Sequence, residues 1–298
     1  MTIVVAYTAQ DSGTSALELA AVLSRSTGEP LTVAVVIATP HAAGMLELVD
    51  GDYLGPLTEW GRSVLEQAES DLPPDIEATF VVRQASSIPG GLLELAAEVG
   101  ASAIVLGSSS KGAFGRISLG SVTDRLVHAA PLPVLLAPRG YRAGPTARLR
   151  RVTIGYAGSP GGAHVATVGA RLADAVGASV RAATFAVRPP KRFYGTVEES
   201  ADDLVVDTWV ARTRESLVSQ VGAADPGLGE RLARSLVVGE GASWGRAIWD
   251  VPWSDGDLLV VGPSSSAPAA RLFLGSRASK ILRSAPVPVY LVPAPHTA

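Results

Sequence analysis

Apolar residues fall into two rhythms along this chain. Short aliphatic and β-branched runs read as strands: Thr2 to Tyr7, Leu31 to Ala38, Ile76 to Val82, Ala103 to Leu106 and Val134 to Ala137. Between them, Leu and Ala recur at helical spacing over Ala16 to Leu23, Thr58 to Leu72, Leu92 to Val99 and Ser121 to Ala129. Gly28 and Pro30 stop the first helix, and Pro73-Pro74 stops the second. Pro40 to Pro56 has neither rhythm and reads as a crossover. Strands alternating with helices predict a parallel sheet covered on both faces.

The pattern then runs again. Val152 to Gly155 matches the first strand, Tyr156 follows Tyr7 by 149 positions, and Trp209 follows Trp60 by the same 149. Gly107 to Ser121 is echoed by Gly262 to Ser276, now 155 apart, so about six residues are inserted between those landmarks. Such self-similarity signals an internal duplication. It predicts domains over 1–140 and 149–298, with the Gly- and Arg-rich stretch 141–148 as an exposed linker.

The 298 residues suffice for two domains, and 47% hydrophobic content fills two cores. A net charge of −3 gives no basic field for nucleic acid. The absence of cysteine excludes disulfides and thiolate metal sites and fits a reducing interior. No apolar run reaches the roughly 20 residues of a membrane helix, and no basic leader precedes Ile3. The expectation is a soluble cytoplasmic protein.

Chemistry is concentrated where a strand feeds a small-residue loop ending in Gly-Ser at a helix start. A parallel sheet binds ligands at the carboxyl ends of its strands, where the strand order reverses. In the first half those ends are Ala6 to Thr8, Val35 to Ile37 and the loop from Gly107. Ser121 is expected as the helix N-cap, and the N–H groups of Ser121, Val122 and Thr123 point into the loop. A helix start of this kind favours phosphate. Gly107, Gly112, Gly115 and Gly120 let the backbone approach closely, and Lys111 and Arg116 add positive charge. Ser121-Val-Thr-Asp124 is equally an acceptable capping box that needs no ligand.

These residues resemble the universal stress protein family in its tandem two-domain form. The resemblance covers nearly the whole chain and rests on the two Gly-to-Gly-Ser loops, the Pro-x-Pro element before each last strand, and the opening strands ending in Tyr7 and Tyr156. It implies an α/β fold of two Rossmann-like, adenine nucleotide alpha hydrolase-like domains. Each has a five-stranded parallel sheet of order 3-2-1-4-5 with helices on both faces. It implies ATP or AMP as ligand, with or without magnesium. The phosphates fall at Gly107, Ser110, Gly112, Gly120, Ser121, Val122 and Thr123, and the adenosine near Ala6, Tyr7, Thr8 and Val36. The second half offers Gly262, Ser265, Gly275 and Ser276. In the family the last strands pair across a dimer interface; here Val134 to Ala137 and Val289 to Val292 are expected to pair within the chain, with a homodimer also open.

The chain departs from the family pattern. The second loop Gly is Ser110 and Ser265, and the Asp expected after the first-strand Tyr is Thr8 and Ala157. In the second half, Pro263 and Pro268 each delete a donor, so the first half is the better nucleotide candidate. The function implied is a non-enzymatic, nucleotide-binding stress regulator with an unidentified protein partner. The alternative is an interaction module with a degenerate pocket, above all in the second half. A hydrolase of the ATP-pyrophosphatase-like group would need a Ser-Gly-Gly-x-Asp-Ser loop, and residues 8 to 13 read Thr-Ala-Gln-Asp-Ser-Gly. His41, His128, His164 and His296 show no ligand spacing, so no metal site is expected. His128 suits the last turn of its helix. His164 follows Gly161-Gly162 near the second pocket. Trp244, Trp249 and Trp253 are read first as core or interface packing and second as an aromatic platform.

Overall fold

In β1 (Thr2–Ala6), Ile3, Val4 and Val5 are all fully buried, so both faces of the strand are covered. A parallel sheet achieves this through its helical crossovers. The computed structural model describes residues 1–39, 54–159, 161–187, 199–262 and 276–293. The chain divides into two compact units, Met1–Arg148 and Leu149–Ala298. The predicted crossover over residues 40–53 lies outside the described residues.

In the first unit, β2 (Leu31–Ala38), β3 (Ala78–Ala85), β4 (Ala101–Gly107) and β5 (Val134–Ala137) join β1 in the order β3-β2-β1-β4-β5. All neighbours are parallel. The helices are α1 (Asp11–Thr27), α2 (Leu54–Asp71), α3 (Ile88–Glu98) and α4 (Ser121–Ala129). Gly61 of α2 lies against Val82 and Ile37, whereas Gly91 of α3 lies against Ala85 and Val36. Adjacent strand residues point to opposite faces, so α2 and α3 cover opposite faces. α1 meets α2, and α3 meets α4, which completes the two layers. The order reverses between β1 and β4, and it is at the carboxyl ends beside such a reversal that parallel sheets receive ligands.

Several elements outrun their apolar centres. α1 begins at Asp11, and α3 begins at Ile88, where the Ser87 hydroxyl accepts from Gly90 N. α2 starts at Leu54 and carries Pro56 in its first turn, where a missing N–H costs nothing. β3 runs over Ala78–Ala85 instead of starting at Ile76, because it pairs with all eight residues of β2. Arg25, buried in α1, donates from Nε and Nη2 to Asp75 at 2.6 and 3.0 Å. This bidentate hydrogen bonding, with the arginine's charge, holds the Asp75 carboxyl below the usual carboxylate range.

The second unit repeats the plan with β6 (Arg151–Gly155), β7 (Ser179–Val187), β8 (Val237–Gly241), β9 (Asp257–Val261) and β10 (Val289–Leu291), in the order β8-β7-β6-β9-β10. Its helices are α5 (Gly162–Ala175), α6 (Glu199–Ser216), α7 (Pro226–Arg234), α8 (Trp244–Asp250) and α9 (Ser276–Ser284), and a π-helical turn spans Leu217–Val221. Strand register locates the insertion. Ala34 pairs with Val81, and Ala183, 149 positions later, pairs with Val237, which is 156 after Val81. Seven residues therefore enter before β8, in the stretch that holds α7. The Ser87 and Ser243 helix caps keep the 156 offset, and one residue is lost before β9. α7 is capped by Asp225, which accepts from Leu228 N at 2.9 Å, and it buries Leu228 and Leu232.

The amino ends of the second sheet hold a buried charge. Asp257 accepts from Arg151 Nε at 2.9 Å, Arg151 Nη2 at 2.6 Å and Ser254 N at 2.9 Å. Arg181 lies 3.7 Å from the same carboxylate, donates to Thr153 Oγ1 at 2.9 Å and sits over the Trp253 ring. Desolvation, with Arg151 beside it, holds the Arg181 guanidinium below its usual value.

Candidate phosphate-loop site

The loop after β4 is closed at its neck before it reaches α4. Ser108 N donates to Ala137 O at 3.0 Å, Ser109 N donates to Ser118 O at 2.9 Å, and Ser118 N donates to the buried Ser108 hydroxyl at 2.8 Å. Within the loop, Gly112 N bonds Ser109 O and Arg116 N bonds Ala113 O, each at 3.2 Å. Gly107 lies under the first turn of α1: a Cβ there would stand 1.9 Å from Ser12 O. Its glycine is therefore a packing requirement, whatever it does for a ligand.

The start of α4 corrects one expectation. Gly120 is the N-cap, with φ −84° and ψ 173°, and Ser121 is already the first helical residue. The proposed capping box is not made, since no side chain caps this helix. Asp124 instead lies 3.6 Å from His128 Nε2, one turn on in the last turn of α4. The first backbone bond of the helix runs from Asp124 N to Gly120 O at 2.8 Å. Among the described residues, the N–H groups of Ser121, Val122 and Thr123 therefore have no acceptor in the helix or its cap. Such donors at a helix start suit an anion.

Other predicted residues fall around this opening in different ways. Ser110 is exposed, Gly112 packs on Ser118, and Lys111 and Arg116 are exposed in the loop. Ala6 is half-buried, and Thr8 is exposed, its Oγ1 3.1 Å from Ser12 Oγ. Tyr7 is 3% exposed, and its hydroxyl reaches Asp71 of α2 at 3.5 Å, so only its backbone faces the strand end. Burial, with the Asp71 carboxylate, pushes the Tyr7 phenol up. Tyr156 repeats the arrangement, with its hydroxyl 2.8 Å from Ser216 Oγ and its phenol raised by burial. Val36 packs beneath Gly91 of α3.

In the second unit, Gly262 packs on Val165, where a Cβ would stand 2.2 Å from Cγ2. Ser276 is the exposed first residue of α9. Ser265 and Gly275 lie outside the described residues, as do His41 and His296. His164 Nε2 lies 3.3 Å from Pro293 O. The tryptophans are spread over α8 and its surroundings. Trp249 is 54% exposed and donates to Ser284 O, Trp253 donates to Ile248 O, and Trp244 carries Lys280 over its ring. None of them is in the hydrophobic core. Among the described residues, no three His, Cys, Asp or Glu side chains gather as a metal site, and no helix is long and apolar enough to cross a membrane.

The sequence marked Ser108 only through the donor lost at Pro263, and its hydroxyl also supplies the neck bond; Arg139, whose Nη1 donates to Gly112 O at 2.6 Å, was not marked at all. At the 155 offset these become Pro263 and Ala294, a difference that was present in the duplicated text.

The universal stress protein family model matches residues 1–138 and again 148–293. Universal stress proteins of Mycobacterium tuberculosis and Mycobacterium bovis are each 35% identical over 297 residues, covering 98% of this chain and 100% of their own. Among solved structures, a universal stress protein from Archaeoglobus fulgidus superposes with a TM-score of 0.58 at 16% identity, covering 98% of both chains. A functionally unknown protein from Pseudomonas aeruginosa gives 0.58 at 15% identity, covering 98% of this chain and 92% of its own. The structural likenesses speak for the fold; the double match and the full-length relatives carry the assignment. This chain belongs to the universal stress protein family, as a tandem of two such domains.

Proposed function

We propose that the first unit binds an adenine nucleotide, ATP or AMP, and that the chain acts through this binding as a cytoplasmic stress-response regulator rather than as an enzyme. One observation carries the reading. The amides of Ser121, Val122 and Thr123 have no acceptor in the helix or a cap, beside a loop whose neck is already closed. Hydrogen bonds from N–H to a charged acceptor are worth about 1.5–3 kcal/mol each. The helix start adds about 0.3–1 kcal/mol. Gly107, Ser110, Gly112 and Gly120 border the phosphates in this reading, with Lys111 and Arg116 nearby. Ala6, the Tyr7 backbone, Thr8 and Val36 border the nucleoside. A magnesium ion carried by the nucleotide would meet the hydroxyls of Thr8 and Ser12, with Asp11 as the nearest acid in sequence.

Binding biases the partner surface of the pair of domains, and the tandem is consistent with a pseudo-dimer in one chain. Calorimetry with ATP, ADP and AMP tests the reading. Gly120→Asp adds a carboxylate at the phosphate position. A Cβ there meets only the Ser109 side chain, Cβ at 3.6 Å and Oγ at 3.8 Å, and the backbone is extended, so the fold survives. Binding that is lost in G120D supports the proposal; no heat from the unaltered protein at millimolar nucleotide sinks it.

The second unit favours the other reading, an interaction surface with a degenerate pocket that includes Gly262, Ser265, Gly275 and Ser276. Pro263 supplies neither the N–H nor the hydroxyl with which Ser108 closes the first loop. A stable partner whose capture ignores nucleotide would support that reading for this half.

A further inference from the structure

We propose that Arg139 is the positioning residue of the phosphate loop and that it, more than the loop sequence itself, makes the first unit the nucleotide-competent one. The inference rests on the nucleotide reading for its consequence, but not for its geometry. Arg139 follows β5 by two residues and bonds the loop at Gly112, Gly115 and Arg116. Its backbone forms a two-bond bridge with the loop: Gly115 N donates to Arg139 O, and Arg139 N donates to Arg116 O, each at 2.9 Å. Its guanidinium donates from Nη1 to Gly112 O at 2.6 Å. Nε is buried without a partner among the described residues, so the grip on Gly112 is a single bond.

Two glycines make the bridge possible. Gly115 and Gly140 have φ of +71° and +72°, a conformation side chains rarely adopt. The Phe114 ring occupies the space a Cβ on Gly140 would need, 2.1 Å from it. A loop with open amides serves an anion only if those amides already converge, since ordering it on binding costs roughly 1–2 kcal/mol per residue. The neck fixes one end of the loop, and Arg139 fixes its outer turn.

The sequence of the second unit carries none of the five residues that make this clamp. At the 155 offset, Gly112, Phe114, Gly115, Arg139 and Gly140 become Ala267, Ala269, Ala270, Ala294 and Pro295. Conversely, Arg116 keeps its charge as Arg271, so the clamp is lost while a loop cation is retained. The five positions serve one another, and they disappear together.

The test compares Arg139→Ala and Arg139→Lys with the unaltered protein. Hydrogen exchange without ligand is read first, and residues 112–116 should exchange faster in R139A and recover in R139K, which can restore the single bond to Gly112 O. Calorimetry with AMP and with adenosine follows. R139A should weaken AMP about tenfold or more and leave adenosine within about twofold, because only the phosphate uses the loop; R139K should regain most of the AMP affinity. Unchanged exchange at 112–116 in R139A overturns the inference, as does equal AMP affinity or a parallel loss of AMP and adenosine. If the unaltered protein binds neither ligand, the nucleotide reading alone fails, and the exchange result still decides whether Arg139 holds the loop.

Discussion

At the amino ends of their sheets the two units meet the same need with different chemistry. In the first, Thr2 and Thr32 face each other with their hydroxyl oxygens 3.1 Å apart, and Ser102 donates to Thr2 O at 3.3 Å and to the Glu29 carboxylate. At the duplicate positions stand Arg151, Arg181 and Asp257, a buried ion cluster. Three small neutral partners have become three charged ones. At the carboxyl ends the divergence runs the other way: Ser108, Gly112, Gly115 and Arg139 of the first unit give way to Pro and Ala in the second. Among the described residues, the first unit has polar bonding at its mouth and neutral partners at its floor, and the second has its ion cluster at the floor. Strand order and helix placement are indifferent to both changes, which separates what the fold requires from what a ligand requires.

The strongest way to break this comparison is Gly107→Val. A side chain there drives into the Ser12 backbone, and overpacking of this kind costs about 3 kcal/mol, read by urea unfolding. A cost near zero would mean that Gly107 is kept for the ligand and not for packing. Asp257→Ala should cost about 3 kcal/mol, the low end for a broken buried pair, because Arg151 keeps 27% of its side chain in water. The matching change in the first unit, Ser102→Ala, removes bonds to Thr2 O and the Glu29 carboxylate but strands no guanidinium, and should cost about 1.5 kcal/mol. Equal losses at the two floors would contradict the contrast drawn here.

A smaller effect appears with acid. Arg25 holds Asp75, and Arg83 holds Glu98, below the ordinary carboxylate range. A carboxylate depressed in the folded state stabilises above its unfolded value, near pH 4, and loses that contribution as pH falls through the folded value. Melting temperature should therefore hold level in this respect from pH 8 to pH 5 and drop below about pH 4. Asp75→Asn should flatten part of that drop; an unchanged acid slope in D75N rules the pair out. Smallest of all, Gly120→Ala should leave stability within about 0.5 kcal/mol.

Much of the fold is written locally. β2, β5 and α4 run over the residues that their apolar pattern marks. The first turns of α1 and α3 are polar or Gly- and Pro-bearing, so periodicity passes over them even though Ser87 announces α3 as a cap. β3 shifted because its register belongs to β2. The insertion was countable from offsets, but its form as α7 was not. At the site, the loop and its helix were legible, whereas the cap fell on Gly120 because the Ser121 backbone is already helical. Arg139 and Gly112 are 27 residues apart, a contact no local pattern contains; only the comparison of the two halves could have pointed to it.

The central claim is that the amides opening α4 take the nucleotide's phosphate. Titrating AMP into isotope-labelled protein and following backbone amide resonances tests it most directly. The amide protons of Ser121, Val122 and Thr123 should move together and saturate, while Ser276 and Arg277 at the start of α9 stay nearly still. Saturable AMP binding that leaves those three resonances in place, or that moves the α9 pair instead, would contradict the account.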